Sequence, residues 1–233
     1  LTYDENDNIV ANSIVESFEQ VDDVTYNFKL VQGIKFHNGD EMKASDVKFS
    51  LERGIGTSMN YLVGEIDHVE VLGDYELNIV IKTANGAFLA GLTAVQTGIL
   101  SEKAVTEAGD NYQLSPIGSG PYKFVSWEQG VCVTLERNAD YHGDAPYYKN
   151  LVFYEITDST TRANQLEVGE VMVAPLAATD VSRFENTPGY QVVKANTFGL
   201  IYIGMNYRSE NVQDQKVRDA IAYAVDTAAI TNA

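Results

Sequence analysis

His37, His68 and His142 are the chain's three imidazoles, and no two of them stand two, three or four residues apart. A metal site needs ligands that converge from one helix turn or one hairpin, and the lone Cys132 adds no further spacing. Gly118-Ser119-Gly120 has the glycines of a phosphate loop but not its context. No Lys-Ser/Thr follows, and an alternating strand pattern comes where a helix should start. Ser119 also lacks the G-x-S-x-G setting of a nucleophile elbow. The acids Asp22-Asp23 and Asp4, Glu5 and Asp7 lie in polar, turn-like runs, the setting of solvated surface rather than of acid–base catalysis. No enzymatic constellation emerges, and no cofactor or metal is implied. The remaining handle is aromatic, with 14 Tyr, 9 Phe and one Trp. Rings with polar tips suit clefts that hold polar organic ligands, although most rings pack in cores and hairpins.

The elements that would position such residues can be read from period and punctuation. Tyr26, Phe28 and Leu30 alternate with polar neighbours and predict a strand that Gly33 ends. Asn38-Gly39 predicts a turn. Ser45 is placed to cap a helix over 46–53, with Gly54 closing it. Val69 and Val71, a Gly73-Asp74 turn, and Tyr75, Leu77, Ile79 and Ile81 predict a hairpin. Residues 101–108 predict a short helix with Ser101 at its start. Residues 118–137 predict a second hairpin, because 122–127 and 131–137 both alternate around Glu128-Gln129-Gly130. Further strands are expected at 151–156, 171–174, 190–194 and 200–206. Helices are expected at 160–168 with Ser159 as cap, at 179–186, and at 214–226 with Asp214 as cap. Strands and helices mix without strict βαβ order, so the class is α/β of the mixed α+β kind.

Bulk composition excludes some partners. The chain has 233 residues, 45% of them hydrophobic, enough for a sizeable core in one large or two small domains. With 16 basic residues against 33 acidic ones and a net charge of −17, it has no cationic surface for nucleic acid or anionic lipid. One cysteine allows no intrachain disulfide, and Cys132 between Val131 and Val133 reads as a small buried hydrophobe. No apolar run approaches the ~20 residues that span a bilayer. The chain opens Leu1-Thr2-Tyr3 without an initiator Met and stops soon after a strong helix, so it reads as an internal fragment.

Four segments, in order, carry a family resemblance. YNFKLVQGIKFHNGDEMKASDVKFSLER at 26–53 pairs a strand and a K-F-x-x-G turn with an A-x-D-V helix. SPIGSGPYKFVSWEQGVCVTLERNADY at 115–141 carries G-x-G-P-Y and then R-N-x-x-Y. Asn164-Gln165-Leu166 with Gly169-Glu170 is similar to an L-x-x-G-E-I-D element, and Val217-Arg218-Asp219-Ala220-Ile221 is similar to an R-x-A-hydrophobic helix. Together they resemble the extracytoplasmic solute-binding proteins of peptide and nickel ABC importers. Val171-Met172 departs from the usual Ile-Asp, and His142 from a usual Trp.

The resemblance implies a two-lobed receptor fold, the large peptide-binding type of periplasmic binding protein, with an inserted subdomain in lobe one. Residues 1–115 map to that subdomain, 116–197 to part of the lobe-one core, and 198–233 to the crossover and start of lobe two. It implies a receptor rather than an enzyme, one that captures di- or oligopeptides outside the cytoplasm and delivers them to a membrane ABC permease. It also implies a periplasmic or lipid-anchored location. An oligosaccharide or nickel chelate on the same fold is the alternative ligand, and a secreted hydrolase the rival class. The implied ligand-lining residues are Val95, Gln96 and Thr97, the crossover residues Asn196, Phe198 and Ile201, and the loop aromatic Tyr61. Loss of the partner lobe would leave apolar surface that a dimer of the fragment could cover.

Overall fold

A strand needs a partner edge, and the alternating segments of the first half find theirs in one another. The computed structural model describes residues 1–195 and 202–231. It falls into two units, Leu1–Arg162 and Ala163–Ala233. The first opens with a two-stranded antiparallel ribbon, β1 (Thr2–Tyr3) and β2 (Ile9–Val10). There follow β3 (Val15–Gln20), β4 (Thr25–Leu30), α1 (Ala44–Gly54), α2 (Asn60–Val63), β5 (Ile66–Gly73) and β6 (Glu76–Ile81). α3 (Phe88–Gly91) and α4 (Glu102–Ala108) lead to β7 (Tyr122–Glu128), β8 (Cys132–Arg137) and β9 (Asn150–Tyr154). α5 (Ser159–Glu167) contains the division between the units, and α6 (Val181–Phe184), α7 (Gln215–Ala224) and α8 (Thr227–Thr231) complete the chain order.

The central sheet has order β3-β4-β6-β5, every neighbour antiparallel. One face, carrying Tyr26, Phe28, Leu30, Leu77, Ile79 and Ile81, is buried together with Val47 and Leu51 of α1. Burying each such side chain contributes about 1.5–3 kcal/mol. Polar ties fix the helix on the sheet: Lys48 Nζ donates to the Val69 carbonyl at 2.6 Å, and the Val69 N–H donates to Glu52 Oε1 at 3.1 Å.

Asp46 does more than the sequence suggests. The helix starts at Ala44, so Ser45 does not cap it. Instead Asp46 Oδ2 reaches back to accept the Lys43 N–H at 2.9 Å, while Oδ1 accepts the Glu102 N–H at 2.9 Å. One turn on, Ser50 Oγ accepts the Leu100 N–H at 2.9 Å. Ser101 then caps α4, as expected, accepting the Ala104 N–H. The start of α4 is thus bolted to α1.

The second hairpin forms as the alternation predicts. Phe124 pairs with Leu135 and Trp127 with Val133. A register shift between Phe124 and Ser126 keeps these apolar residues on one face. Gly130 has φ +76°, the left-handed conformation that the turn requires. Cys132 is half-buried rather than fully buried. His37 ties the hairpin's lead-in to the earlier turn: its Nε2–H donates to the Gly120 carbonyl at 3.0 Å, and Nδ1 accepts the Gly118 N–H at 3.3 Å.

In the second unit, Arg183 donates to Asn164 Oδ1, Glu167 Oε2 and Asp180 Oδ1. The Phe184 ring meets Tyr190 edge-on at 5.0 Å. Asp214 caps α7 through the Lys216 N–H, as expected. Several expectations fail here. Asp158, not Ser159, caps α5, accepting the Thr161 N–H at 2.7 Å. The helix expected at 179–186 shrinks to a 3-10 turn and the four residues of α6. Residues 171–174, 190–194 and 202–206 form no strand. Their patterns are strand-like, but no ladder partner reaches them among the described residues. Residues 200 and 201 of the last segment lie outside the described residues.

Two outcomes follow from these contacts. Asp46→Ala leaves two backbone donors without their acceptor and should cost about 2–4 kcal/mol, while Asp46→Asn, which keeps one carbonyl oxygen, should cost roughly half; urea midpoints measure both. The second concerns pH. Burial, and then the charge of Lys123, hold the His37 imidazole below its ordinary 6.5. In the window below 6.5 the unfolded chain binds the proton that the native chain refuses. The contribution of neutral His37 is therefore fully present above that value and is lost as pH falls through the window. Burial lowers His142 in the same sense, so the readout is the difference between the chain and His37→Gln, whose thermal midpoint should fall less steeply on acidification.

Candidate functional site

Residues 92–99 leave α3, make a 3-10 turn at Val95–Thr97 and run to the α4 anchor. Their backbone is closed by the segment's own side chains. Thr97 Oγ1 donates to the Ala94 carbonyl at 2.7 Å, and Thr93 Oγ1 donates to the Ala90 carbonyl at 2.8 Å. The far end is fixed by the Asp46 and Ser50 contacts. The near end is fixed by α3, whose Gly91 approaches α2 so closely that a Cβ there would stand 2.9 Å from the Leu62 carbonyl oxygen. A side chain larger than hydrogen at Gly91 would push the two helices apart.

This strip roofs an apolar cavity of about 240 Å³. The floor is the buried sheet face, Phe28, Leu30, Leu77 and Ile79, with Val47 and Leu51 from α1. Val95 and Thr97 line it, and Val95 is also 91% exposed, so the cavity reaches solvent at the 3-10 turn. Gln96 is exposed but does not line the cavity. Tyr61 sits in α2, not in a loop, and is 74% exposed. The close approach of α2 and α3 puts it on the element that adjoins the strip. Asn196, Phe198 and Ile201 lie outside the described residues.

A second, more open hollow of about 400 Å³ lies between His37, Pro116 and Gly118 and the β7–β8 face, where Phe124, Trp127, Val133 and Leu135 line it. Both nitrogens of His37 already hold backbone partners, so this imidazole acts as a brace. Among the described residues no three His, Cys, Asp or Glu side chains gather as metal ligands. The cavity floor was not recognised from sequence as part of a site, because its residues carry the ordinary strand and helix periodicity of a core. The signal that could have pointed to it is the pair Thr93 and Thr97, two hydroxyls in an otherwise apolar stretch.

The chain is 31% identical to the oligopeptide-binding protein AppA of Bacillus subtilis, over 96% of this chain and 43% of AppA. It superposes on the structure of AppA in complex with a nonapeptide with a TM-score of 0.87 at 30% identity, covering 97% of this chain and 47% of that one. NikZ of Campylobacter jejuni, solved in complex with Ni(L-His), gives a TM-score of 0.84 at 26% identity, with 98% and 47% covered. The chain spans less than half the length of these relatives. Its fold is the mixed α/β of periplasmic binding proteins of the peptide-binding type. The model of the bacterial extracellular solute-binding proteins, family 5 (middle), matches residues 10–233, and this chain belongs to that family.

Proposed function

We propose that this chain is the greater part of the first lobe, with the beginning of the second, of a receptor that captures peptides outside the cytoplasm and delivers them to a membrane ABC permease. The observation that carries the reading is the family match, which runs without a break from residue 10 to residue 233 and takes in all four motif segments. The mechanism is hinge closure, in which a solute stabilises the closed state only as far as it binds that state better. In this reading residues 1–115 are the inserted subdomain, 116–197 the partial lobe-one core and 198–233 the crossover into lobe two. Val95, Gln96, Thr97 and Tyr61 face the solute, together with Asn196, Phe198 and Ile201. No catalytic step is involved. Anchoring of the intact receptor to the outer face of the cell membrane belongs to the same reading.

A nickel chelate is the second reading, favoured by the likeness to NikZ. The two part in a thermal-shift screen of the intact receptor against di- to pentapeptides, oligosaccharides and nickel–histidine. A peptide at a hundred times its Kd should stabilise by about 2.7 kcal/mol, a rise of several degrees. Stabilisation by nickel–histidine alone would replace the peptide reading with the chelate one, and no response to any of them would remove both.

The chain by itself should bind such peptides poorly. Small ligands need enclosure, and half of the contacts must still meet an association cost of at least ~4 kcal/mol. A site worth ~8 kcal/mol in the whole receptor falls to millimolar or weaker in one lobe. Calorimetry on the chain should therefore show no saturable peptide binding, and a Kd below about 10 μM would place the whole site within this lobe.

A further inference from the structure

Asparagine is labile where glycine follows it, because the unhindered glycine nitrogen can close on the side-chain carbonyl. Asn38-Gly39 and Asn85-Gly86 are the chain's two such pairs. Exposure alone ranks Asn38 as the more reactive, since Asn38 is exposed and Asn85 is half-buried. The hydrogen bonds give the opposite order. The Gly39 N–H donates to the Phe36 carbonyl at 2.9 Å, so the attacking nitrogen is already committed. Asn38 Nδ2 donates to Asp40 Oδ2 at 2.9 Å, and Asn38 Oδ1 accepts the Asp40 N–H at 3.1 Å. At Asn85 the only side-chain tie is that Oδ1 accepts the Ala87 N–H at 2.9 Å. That contact folds the carboxamide back over its own main chain and polarises its carbonyl. Neither the Gly86 N–H nor Asn85 Nδ2 donates to any described residue. Gly86 is exposed, and a Cβ built on it would meet nothing within 4 Å.

We propose that Asn85 is a site of spontaneous modification, converted to aspartate and isoaspartate through a succinimide while Asn38 is spared, and that the isoaspartate form frees α3 from the turn that starts it. Hydroxide removes the Gly86 amide proton, and the nitrogen forms a bond to Asn85 Cγ. The bond from Cγ to the carboxamide nitrogen breaks, and that nitrogen leaves as ammonia after taking a proton from water. Water then opens the five-membered ring. Attack at Cγ gives aspartate; attack at the main-chain carbonyl gives isoaspartate. No oxidant or reductant takes part. In isoaspartate the main chain runs through Cγ and is one methylene longer, and the former main-chain carbonyl becomes a free carboxylate. That carbonyl is the acceptor of the Phe88 N–H at 3.1 Å. Phe88 opens α3, is buried, and meets the Tyr26 ring at 5.3 Å. Residues 92–99 leave the far end of the same helix, so the change loosens their near anchor. The contacts that decide the contrast lie within residues 36–40 and 85–88, and none of them depends on solute capture.

The test is incubation of the 233-residue chain at mildly alkaline pH, with peptide mass spectrometry to follow both asparagines and chromatography to separate isoaspartate from aspartate. Asn85 should deamidate at least about tenfold faster than Asn38, the factor expected when closure at Asn38 must first break several hydrogen bonds. Isoaspartate should be among the products, since direct hydrolysis of the side chain gives aspartate alone. In urea the two rates should converge, because the contrast belongs to the fold. Gly86 is not in the left-handed region, so Gly86→Ala should keep the unfolding midpoint while slowing the reaction about tenfold by hindering the nitrogen. Hydrogen exchange on the aged chain should show the Phe88 amide losing protection in the isoaspartate form. Asn85→Asp, with the same charge and no added methylene, should retain that protection. A stable Asn85, an Asn38 that reacts as fast, aspartate without isoaspartate, a contrast that persists in urea, or equal loosening in Asn85→Asp would overturn the proposal.

Discussion

One carboxylate holds the start of α4, and with it residues 92–99, against α1. Asp46 is a buried acid whose two oxygens each accept a backbone N–H, one at its own helix start and one 56 residues further on. The first contact ends α1 on its N-terminal side, where a negative group also suits the helix dipole. The second fixes the start of α4. Between α3 and α4 the chain has no ladder to lean on, so residues 92–99 depend on these ends and on their own threonine hydroxyls. A buried acid is retained here because it satisfies donors that would otherwise be stranded. The A-x-D-V pattern at 44–47 thus has a physical meaning: the Asp is needed for its two acceptors, and the Val for the core beneath.

Local signals in the sequence were enough for much of the first unit. The alternation at Tyr26, Phe28 and Leu30, the Gly73-Asp74 turn and the Glu128–Gly130 turn each specify a strand pair whose partner is near in sequence or equally well patterned. The caps at Ser101 and Asp214 were legible for the same reason, since a cap acts within one turn of its helix. Ser45 and Ser159 misled, because an acid one residue away outcompeted each hydroxyl: Asp46 reaches back to Lys43, and Asp158 already holds Thr161. Strands at 171–174 and 190–194 were not decidable from pattern alone. Val173 and Val193 alternate like strand residues, yet both are largely exposed. A strand exists only where another edge accepts its hydrogen bonds, and that information is not local.

The candidate site was legible to a different degree. Residues 95–97 came from the family resemblance, and their placement on a roof above a cavity adds a physical context that periodicity could not supply. Leu30, Leu51 and Leu77 look like any core residues in sequence. What sets them apart is that the element above them is a short polar-capped strip rather than a long helix, so the core is not filled to its full depth. The surface tells a complementary story. The strong acidic excess leaves few cations to steer anions, and among the described residues several lysines are tied to carboxylates, as Lys43 is to Glu41 and Asp74 and Lys103 to Asp40. The chain therefore carries no broad field of positive charge.

The central claim is that α1 holds the strip through Asp46 and Ser50, and native-state hydrogen exchange reads it amide by amide. The Glu102 and Leu100 N–H groups donate to Asp46 Oδ1 and Ser50 Oγ, so their exchange should be as slow as that of the β4 and β6 amides. In Asp46→Asn their protection should drop selectively, with Thr97 and Gly98 following while β7 and β8 stay unchanged. Exchange of Glu102 and Leu100 at loop rates in the unaltered chain, or a uniform loss over the whole unit in the variant, would contradict the account.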